Sequence, residues 1–362
     1  MSARQSKGLA SGVANVAQLA EFDEVIDVRS PAEYAEDRLP GAISCPVLDD
    51  EQRARVGTLY KQVSPFAAKK IGAVLVARNI ADHIERLFLD KPRDWRPLVY
   101  CWRGGQRSGA FSHILRQIGW DAQRLEGGYK SWRRHVLDQL AILPQRFRYR
   151  VVSGATGSGK SRLLEALALE GTQVLHLEEL AAHKGSVLGG LPGAPQPSQK
   201  MFESRLFLAL SAFTPERPVY VEAESRRIGS LQLPDALLET IRAAPSVHID
   251  ATTTARVAFL LRDYDYFLAD PRWLVDKLQH LHGLQSRETI SRWEDLVAAQ
   301  DFPALVGELL EQHYDPLYRR SQSRNFAGFE SAARLSTDDL SPAGITRLAR
   351  EILAGSAAGG EG

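Results

Sequence analysis

The apolar residues of the first 140 positions form short runs that alternate with stretches of helical periodicity. Strand-like runs stand at residues 22–28 (FDEVIDV), 42–47 (AISCPV), 96–101 (RPLVYC) and 122–128 (AQRLEGG). Between the last two, residues 113–120 (HILRQIGW) repeat their apolar side chains at the helical period. Strands separated by helices predict a parallel α/β sheet, in which the loops that follow the strands meet at one edge.

A second pattern of the same kind begins after Pro144. Residues 148–161 (RYRVVSGATGSGKS) predict a strand, a glycine loop and a helix start, and further strands are predicted at 172–177, 217–225 and 246–251. From about residue 252 the pattern is nearly all helical, and the end of the chain is too small and polar to pack. The predicted organisation is a flexible N-terminus (1–12), a first domain (13–137), a linker (138–148), a second α/β domain (149–352) and a disordered tail (353–362).

Composition places the chain among globular proteins of more than one domain. It has 362 residues, of which 44% are hydrophobic and 25% charged. No apolar run approaches the roughly 18 residues that would span a membrane, and the first residues lack the apolar segment of a secretory signal. Cys45 and Cys101 form neither a disulfide framework nor a CxxC pair. We therefore expect a cytoplasmic protein with no membrane partner.

The net charge of +1 hides a local imbalance. Residues 91–150 hold 13 Lys or Arg against 4 Asp or Glu. Such a surplus is typical of a surface that contacts nucleic-acid phosphates, and a solvated basic face explains it equally well.

A lone cysteine follows the third predicted strand, in the loop 99–109 (VYCWRGGQRSG). Arginines supply fixed positive charge in this loop, and its glycines allow backbone amides to turn inward. Such a nest lowers the pKa of a thiol and holds a tetrahedral anion, which favours a nucleophile over a structural thiol. The predicted catalytic residues are Cys101, Arg103 and Arg107, in an anion loop with Trp102, Gly104, Gly105, Gln106 and Ser108.

Four segments resemble the rhodanese family: IDVRSPAEY, RLPGAISCPV, the cysteine loop and LEGGYKSW, in that order within residues 13–135. The resemblance implies that the cysteine carries a persulfide or its selenium analogue, and that Asp27 and Arg29 are framework residues. Cys101 and Arg107 stand in a C-x5-R arrangement, one residue longer than in the usual sulfurtransferase loop. That spacing is typical of cysteine-dependent phosphatases and arsenate reductases. It indicates a larger tetrahedral anion, such as a phosphate that bears a chalcogen.

Residues 154–161 (GATGSGKS) match the phosphate-binding pattern G-x-x-x-x-G-K-S between a predicted strand and a predicted helix. The glycines free the backbone to wrap a diphosphate, Lys160 supplies a point charge, and the Ser161 hydroxyl can hold Mg²⁺. The absence of an N-K-x-D signature disfavours a GTPase. The predicted diphosphate-binding residues are Gly154, Thr156, Gly157, Ser158, Gly159, Lys160 and Ser161.

Weaker signals surround this loop. Glu222 and Glu224 end a predicted strand, where they can hold Mg²⁺ through water or act as a base; a solvated strand end is the alternative. Arg226 and Arg227 follow them as candidate anion contacts, or as plain surface residues. Residues 180–190 and 196–203 are rich in loop formers and are predicted to cover the ligand as a lid. No metal ligand is assigned with certainty.

The two motifs together resemble the tRNA 2-selenouridine synthase family. The segments CWRGGQRSG, VGTLYKQVSPF, GATGSGKS, HKGSVLGG, EAESRRIG and HYDPLY carry this resemblance from about residue 13 to residue 323. It implies an α/β fold with an N-terminal rhodanese-like parallel sheet flanked by helices. A P-loop NTPase-like α/β domain with a mostly helical C-terminal portion follows.

The resemblance implies a transferase with geranyltransferase and selenotransferase activities. It would convert wobble 2-thiouridine of tRNA to S-geranyl-2-thiouridine with geranyl diphosphate. Selenium from selenophosphate would then enter through a Cys101-bound intermediate to give 2-selenouridine. The implied partners are the tRNA anticodon loop, with Trp102 as a base-stacking candidate, and an enzyme that supplies selenophosphate. Mg²⁺ at the P-loop is implied, and no tightly bound cofactor is expected.

Three other classes stay open on the sequence alone. An ATP-dependent sulfurtransferase or kinase would hydrolyse nucleotide when its substrate is present. A C-x5-R phosphatase or arsenate reductase would turn over aryl phosphates or arsenate and ignore RNA. A non-catalytic adaptor would only bind partners, and the intact Cys101, Arg103 and Arg107 speak against it.

Overall fold

The computed structural model describes residues 12–186, 189–325 and 332–358. Residues 1–11 of the predicted N-terminus and 359–362 of the predicted tail lie outside the described residues. The chain divides into two compact units, Met1–Gln139 and Leu140–Gly362. The division falls inside the predicted linker, but that stretch is helical: one helix continues to Ile142, and a 3-10 turn then covers Leu143–Arg146.

Unit 1 is built on a five-stranded parallel sheet. Its strands are β1 (Val13–Ala14), β2 (Glu24–Asp27), β3 (Ile43–Ser44), β4 (Pro97–Tyr100) and β5 (Gln123–Leu125), in the spatial order β1-β5-β4-β2-β3. Its helices are α1 (Pro31–Glu36), α2 (Asp50–Gln62), α3 (Pro65–Leu87), α4 (Gln106–Ile118) and α5 (Tyr129–Ile142). The four predicted strands all form.

The middle of this sheet positions the cysteine. Strand β4 lies between β2 and β5, and all four of its residues are buried, as expected of a central strand covered on both faces. Val99 of this strand packs in an apolar cluster with Ile26, Phe111 and Leu115, and all four are fully buried. The residue after β4 is Cys101, so the thiol lies at the carboxyl end of a buried central strand.

Unit 2 is a second five-stranded parallel sheet with a small antiparallel hairpin beside it. Its strands are β6 (Tyr149–Gly154), β7 (Gln173–Leu175), β8 (Val219–Glu222), β9 (Arg227–Ile228), β10 (Leu231–Gln232), β11 (Ser246–Ala251) and β12 (Ala333–Thr337). The sheet order is β12-β11-β6-β8-β7, and β9 pairs with β10. The strand before the glycine loop, β6, is therefore central.

The helices of unit 2 pack on this sheet and on one another. They are α6 (Lys160–Leu169), α7 (Leu177–Leu180), α8 (Gln199–Ser211), α9 (Asp235–Ala243), α10 (Thr253–Asp263), α11 (Asp265–Ala269), α12 (Pro271–Gln279), α13 (Arg287–Ala298), α14 (Phe302–Leu309), α15 (Asp315–Asn325) and α16 (Pro342–Ala358). A π-helical turn, Leu310–Tyr314, joins α14 to α15. Helices α12 to α14 form an apolar cluster of their own around Trp293.

Two sequence expectations for the C-terminal part were incomplete. The mostly helical region returns to the sheet as β12, an edge strand that pairs with β11 but leaves Ala333, Arg334 and Ser336 exposed, which is why its apolar signal is weak. The tail predicted to be disordered from residue 353 is helical up to Ala358. Helix α16 packs Ile345 and Ile352 into the core of unit 2, and its last turns continue from that anchored part.

Candidate functional site

The cysteine loop lies between β4 and α4, at the carboxyl end of the parallel sheet in unit 1. Helix α4 begins at Gln106 with Gly105 at its N-cap, so the helix N-terminus and its free amides face the loop. Cys101 is 4% exposed. Its Sγ lies 3.3 Å from the Oγ of Ser108, one turn into the helix. The predicted nucleophile and the predicted anion loop are therefore one local structure.

The electrostatics of this loop favour a thiolate. Burial by itself raises the pKa of the Cys101 thiol. Hydrogen bonds from the Ser108 hydroxyl and from the backbone of Ser108 and Arg103, together with the positive charge of Arg107, outweigh burial and lower the pKa below its ordinary value. Cys45 shows the opposite case, because burial and the nearby carboxylate of Asp27 raise the pKa of its thiol to about 12. Cys101 is therefore the more reactive of the two cysteines.

The two predicted arginines have different surroundings. Arg103 is exposed to solvent. Arg107 is half-buried, and its guanidinium donates to Glu33 from Nη1 to Oε2 at 2.8 Å and from Nη2 to Oε1 at 3.4 Å. Burial opposes ionisation of Glu33, but its hydrogen bonds with Arg107 and with the backbone of Ser30 hold its pKa below the ordinary value. Glu33 was missed by the sequence analysis, although it stands in the VRSPAEY segment and completes the capping box of α1.

The LEGGY segment braces the cysteine loop from the other side. The amide of Tyr129 donates to the carbonyl of Cys101 at 2.8 Å, and the amide of Lys130 donates to that of Trp102 at 3.1 Å. A Cβ atom on Gly128, which has a φ of +60°, would meet the Cys101 carbonyl oxygen at 2.3 Å. Trp102 stacks on Tyr129 with ring centroids 5.3 Å apart, so the tryptophan proposed for base stacking already has one face against the protein.

Asp27 and Arg29 form a buried framework, as the sequence analysis expected. Both are fully buried, and Arg29 Nη2 lies 2.5 Å from Asp27 Oδ2. Tyr100 donates its hydroxyl to the same Asp27 oxygen, and Arg29 also donates to the carbonyl of Asp37 and stacks on the ring of Tyr129. This network ties β2 and β4 to the segment that follows α1.

The glycine loop of unit 2 has the geometry of a phosphate-binding loop. Gly157 and Gly159 have φ values of +80° and +77°, which only glycine adopts without strain. Lys160 begins α6, and its Nζ donates to the carbonyl of Gly154 at 2.8 Å across the loop. The carbonyl of Thr156 accepts from Arg256, which is itself paired with Asp315 at 2.6 Å. Ser158 is buried and packs against Gly154.

Three glutamates surround Lys160 and Ser161. The Ser161 hydroxyl donates to Glu178 Oε2 at 2.6 Å, and the amide of Glu178 donates to Glu222 Oε1 at 2.7 Å. Burial, followed by the charge of Glu178, raises the pKa of Glu222 to about 8 and that of Glu224 well above its ordinary value. Burial lowers the pKa of Lys160, although the negative charges of the three carboxylates act to raise it. Glu178 was not found from the sequence, because 17 residues separate it from Ser161.

A cavity of about 470 Å³ opens above the glycine loop. Its wall is formed by residues of the glycine loop, by Glu178 and Glu224, and by side chains from α10 and α15. His183, Lys184 and Gly185 of the predicted lid also line it, and a Cβ atom on Gly185 would meet carboxylate oxygens of both glutamates. Lys184 fixes this segment through an ion pair of 2.5 Å with Asp263. Val187 and Leu188 of the predicted lid lie outside the described residues.

A smaller apolar pocket of about 70 Å³ adjoins the cavity. Five residues line both spaces: Thr156, Ser186, Leu260, Tyr264 and Tyr314. Beyond them the pocket is enclosed by aliphatic side chains and two phenyl rings from α10 and the helices that follow it. They are Leu261, Phe267, Leu274, Phe302, Leu305, Val306, Leu309 and Leu310. No sequence signal distinguishes this pocket from an ordinary core.

Two expected contacts are not brought to the cavity. Arg226 is exposed and pairs with Asp235 at 3.0 Å, and Arg227 is an exposed residue of β9, so neither lines the cavity.

Within residues 12–186, 189–325 and 332–358, no group of three or more His, Cys, Asp or Glu side chains is arranged to hold a metal ion. In the same part of the chain, no helix has the length and apolar character needed to cross a membrane.

Comparison with known proteins identifies related chains for both units. A family model described as the rhodanese-like domain matches residues 13–135, and one described as the tRNA 2-selenouridine synthase AAA domain matches residues 147–272. A structure of a rhodanese-related protein from Thermoplasma volcanium covers 34% of this chain and 91% of its own, at 22% identity. Its TM-score of 0.22 is too low to support a conclusion about the fold.

Three relatives carry the name tRNA 2-selenouridine synthase. The protein of Nitrosomonas europaea is 38% identical over 66% of this chain, and the match spans 63% of its own length. The protein of Aeromonas salmonicida is 32% identical over 81% of this chain and 86% of its own. The protein of Marinobacter nauticus is 36% identical over 81% of this chain and 87% of its own.

Proposed function

The chain belongs to the tRNA 2-selenouridine synthase family, and on that premise we propose that it is a transferase that replaces the sulfur of wobble 2-thiouridine in tRNA with selenium. In this proposal the sulfur is alkylated with the geranyl group of geranyl diphosphate, which binds in the glycine-loop cavity of unit 2. The cysteine loop of unit 1 then supplies selenium from selenophosphate.

The observation that carries the alkylation step is the apolar pocket beside the phosphate-binding loop. A prenyl diphosphate has a doubly charged head and a hydrocarbon chain, and it needs a polar site and an apolar site within one molecule's length. The cavity above Lys160 offers the first, and the pocket lined by Leu305 and Val306 offers the second. A ten-carbon chain is larger than the pocket, so its first carbons would lie between Leu260 and Tyr264, which line both spaces.

The head group would lie on the glycine loop, where backbone amides and Lys160 face the diphosphate oxygens. Ser161 and Glu178 are the residues that would hold Mg²⁺ together with those oxygens, because Mg²⁺ binds through one or two oxygen side chains, phosphates and water. Bound there, Mg²⁺ supplies charge that neutralises the leaving diphosphate. Ser161 already donates to Glu178 at 2.6 Å, so the two oxygens are within reach of one ion.

The chemistry requires alkylation first. The sulfur of 2-thiouridine attacks carbon 1 of the geranyl group, the carbon–oxygen bond breaks, and the diphosphate leaves with the electron pair while N3 of the base loses its proton. Lys160 stabilises the charge that grows on the diphosphate. The product has a thioether in place of a thiocarbonyl, and its geranylthio group is a competent leaving group for the attack of selenium at carbon 2.

The second step is assigned to Cys101, whose thiol has a lowered pKa and lies in a loop with amides turned inward. Its wide C-x5-R loop would hold the oxygens of selenophosphate while the Cys101 thiolate attacks the selenium. The sulfur–selenium bond would form as the selenium–phosphorus bond breaks, and the phosphorus group would leave with that electron pair and take up a proton as phosphite. Release of selenium from a sulfur–selenium bond as a nucleophilic selenide takes two electrons. A small thiol supplies these two electrons and is included in the assay described below.

Mass spectrometry of nucleosides tests the proposal. Transfer RNA that contains 2-thiouridine is incubated with the protein and geranyl diphosphate alone, with geranyl diphosphate and selenophosphate, or with ATP alone. We expect a geranyl adduct in the first reaction, 2-selenouridine in the second and no change in the third. Consumption of ATP without any geranyl adduct would contradict the proposal and favour an ATP-dependent enzyme.

A pair of variants tests the role of the apolar pocket. Val306→Phe places a ring inside the pocket, whereas Val275→Phe makes the same change at a half-buried position of the same helical cluster away from both pockets. Val306→Phe should raise the KM for geranyl diphosphate by about tenfold or more and affect the five-carbon dimethylallyl diphosphate much less. Equal effects of both variants, or of both substrates, would exclude this pocket as the site of the prenyl chain.

A further inference from the structure

Helices α2 and α3 form a hairpin that extends from unit 1. The two helices are joined by Val63 and Ser64, and the Ser64 hydroxyl accepts from the first amides of α3. At the base of the hairpin, the Asn79 side chain donates to Gln52 Oε1 at 2.7 Å and to the carbonyl of Val47 at 2.9 Å. From Asn79 to the connection at Ser64, α3 rises by about 22 Å. We call residues 53–78 the distal hairpin.

Charge is distributed unevenly along this hairpin. Asp49, Asp50, Glu51, Asp82 and Glu85 all lie at its base. Residues 52–81 contain no Asp or Glu, and they contain six basic residues: Arg53, Arg55, Lys61, Lys69, Lys70 and Arg78. All six are exposed. The distal hairpin is therefore a projecting surface of one sign.

Most of this charge is not neutralised by the protein. Within the described residues, Arg55, Lys61, Lys69 and Arg78 form no ion pair, while Arg53 lies 3.4 Å from Glu33. The 13 basic residues of segment 91–150 differ from those of the distal hairpin, because several of them form ion pairs within the protein. Arg107 is paired with Glu33, and Arg96 lies 3.4 Å from Asp121.

The tip of the hairpin also exposes large apolar side chains. Tyr60 is 54% exposed, and Val63 and Phe66 are each 70% exposed. The ammonium group of Lys70 lies 5.0 Å from the centre of the Phe66 ring, so the ring is accompanied by a positive charge. Exposed aromatic rings that alternate with cations are the arrangement by which proteins hold unstacked bases of single-stranded nucleic acid.

We propose that the distal hairpin is the surface of unit 1 that binds the single-stranded loop of the tRNA substrate. Its basic residues would contact phosphates, and Tyr60 and Phe66 would stack on splayed bases. This inference rests on the proposed function, which makes an RNA loop the substrate. The charge favours a polyanion over a neutral protein partner. The exposed apolar side chains of the hairpin (Tyr60, Val63, Phe66 and Val74) form too small an apolar surface to anchor a membrane.

Binding of labelled RNA to the full chain tests this surface independently of the alkylation and selenium-transfer steps. Fluorescein-labelled tRNA and its isolated anticodon stem–loop are titrated in the absence of geranyl diphosphate and selenophosphate, at several salt concentrations. The variant Lys61→Gln/Lys69→Gln/Lys70→Gln should bind both RNAs more weakly, and its slope of log affinity against log salt should fall by about 2. The control Arg205→Gln/Arg272→Gln/Arg287→Gln removes the same charge from exposed positions of unit 2 and should leave the slope unchanged.

The aromatic contribution is tested separately. Phe66→Ala should weaken binding of the stem–loop by about tenfold, as expected when one stacked base loses its platform. Leu89→Ala is the matched control, because Leu89 is equally exposed but lies outside the hairpin. Circular dichroism of each variant verifies that the helices are retained.

The outcomes separate this inference from the proposed function. If the wild-type chain binds tRNA and the hairpin variants bind it equally well, the surface is wrong and the proposed function stands. If the wild-type chain binds no tRNA, both are overturned. A parallel titration uses vesicles of phosphatidylglycerol and phosphatidylcholine. Loss of vesicle binding in the triple variant with tRNA binding intact would reassign the hairpin to a membrane surface.

Discussion

The glycine pair of the LEGGY segment allows a sharp test of how the cysteine loop is held. Gly127 and Gly128 both have φ near +60°, at +67° and +60°. Alanine at either position therefore carries the left-handed strain of about 1–2 kcal/mol. Their surroundings differ: a Cβ on Gly127 meets Ser131 at 3.1 Å, whereas a Cβ on Gly128 meets the Cys101 carbonyl oxygen at 2.3 Å and the Gly104 amide nitrogen at 2.4 Å.

Gly128→Ala must therefore displace the backbone of the cysteine loop, because 2.3 Å is more than 1 Å short of ordinary contact at 3.4 Å. Gly127→Ala needs only a small movement of the Ser131 side chain. We expect Gly128→Ala to slow alkylation of Cys101 by iodoacetamide at least tenfold relative to Gly127→Ala, and to abolish the selenium step while the geranyl step continues.

The assay is rapid alkylation at neutral pH followed by peptide mass spectrometry. Cys45 serves as an internal standard, because its fully buried thiol has a pKa of about 12 and stays unmodified in a folded unit. Modification of Cys45 in Gly128→Ala would show that the unit has unfolded, and the comparison would then be made at lower temperature. Equal alkylation rates in the two folded variants would refute the bracing role of the LEGGY turn.

Three further outcomes follow from the two sites. Ser108→Ala should raise the pKa of the Cys101 thiol and move its alkylation profile to higher pH, because the hydroxyl hydrogen bond is lost; Ser112→Ala, at a buried serine of the same helix, should not. Cys101→Ala should retain the geranyl adduct and form no 2-selenouridine, and loss of both products in a folded variant would contradict the division of labour. Glu222 is neutral below its pKa of about 8 and charged above it. Calorimetry without Mg²⁺ should therefore show pyrophosphate binding that weakens as the pH rises through 8, and Glu222→Gln should weaken this dependence.

The local motifs were predicted well because a few consecutive residues determine them. The glycine loop 154–161 and the cysteine loop 99–109 each join a strand to a helix, and their positions follow from an apolar run that ends in glycine. Most strands of the two sheets were predicted from apolar runs, but β1, which is only two residues long, was not. Strand β12 was missed because an edge strand with one half-exposed face carries little apolar signal.

The partners of the predicted catalytic and diphosphate-binding residues could not be predicted in this way. Glu33 and Arg107 are separated by 74 positions and meet because α1 and α4 both begin at the carboxyl edge of one sheet. Glu178 reaches Ser161 from α7, which follows β7, and β8 lies between β7 and the strand before the glycine loop. The apolar pocket is formed by side chains that have the same pattern as a core, and only the arrangement of the helices leaves a space between them. Arg226 and Arg227 were wrongly expected at the site because they stand close to Glu224 in the sequence; both are exposed, and Arg226 pairs with Asp235 instead.

The two anion sites differ in how the protein balances its own charge. In unit 1, Glu33 neutralises Arg107, so the loop attracts an anion mainly through amides and the Ser108 hydroxyl. In unit 2, Lys160 faces carboxylates whose negative charge opposes a diphosphate. Under the proposed function, binding there depends on Mg²⁺ or on protonated glutamates, and loss of either favours release of the diphosphate after alkylation.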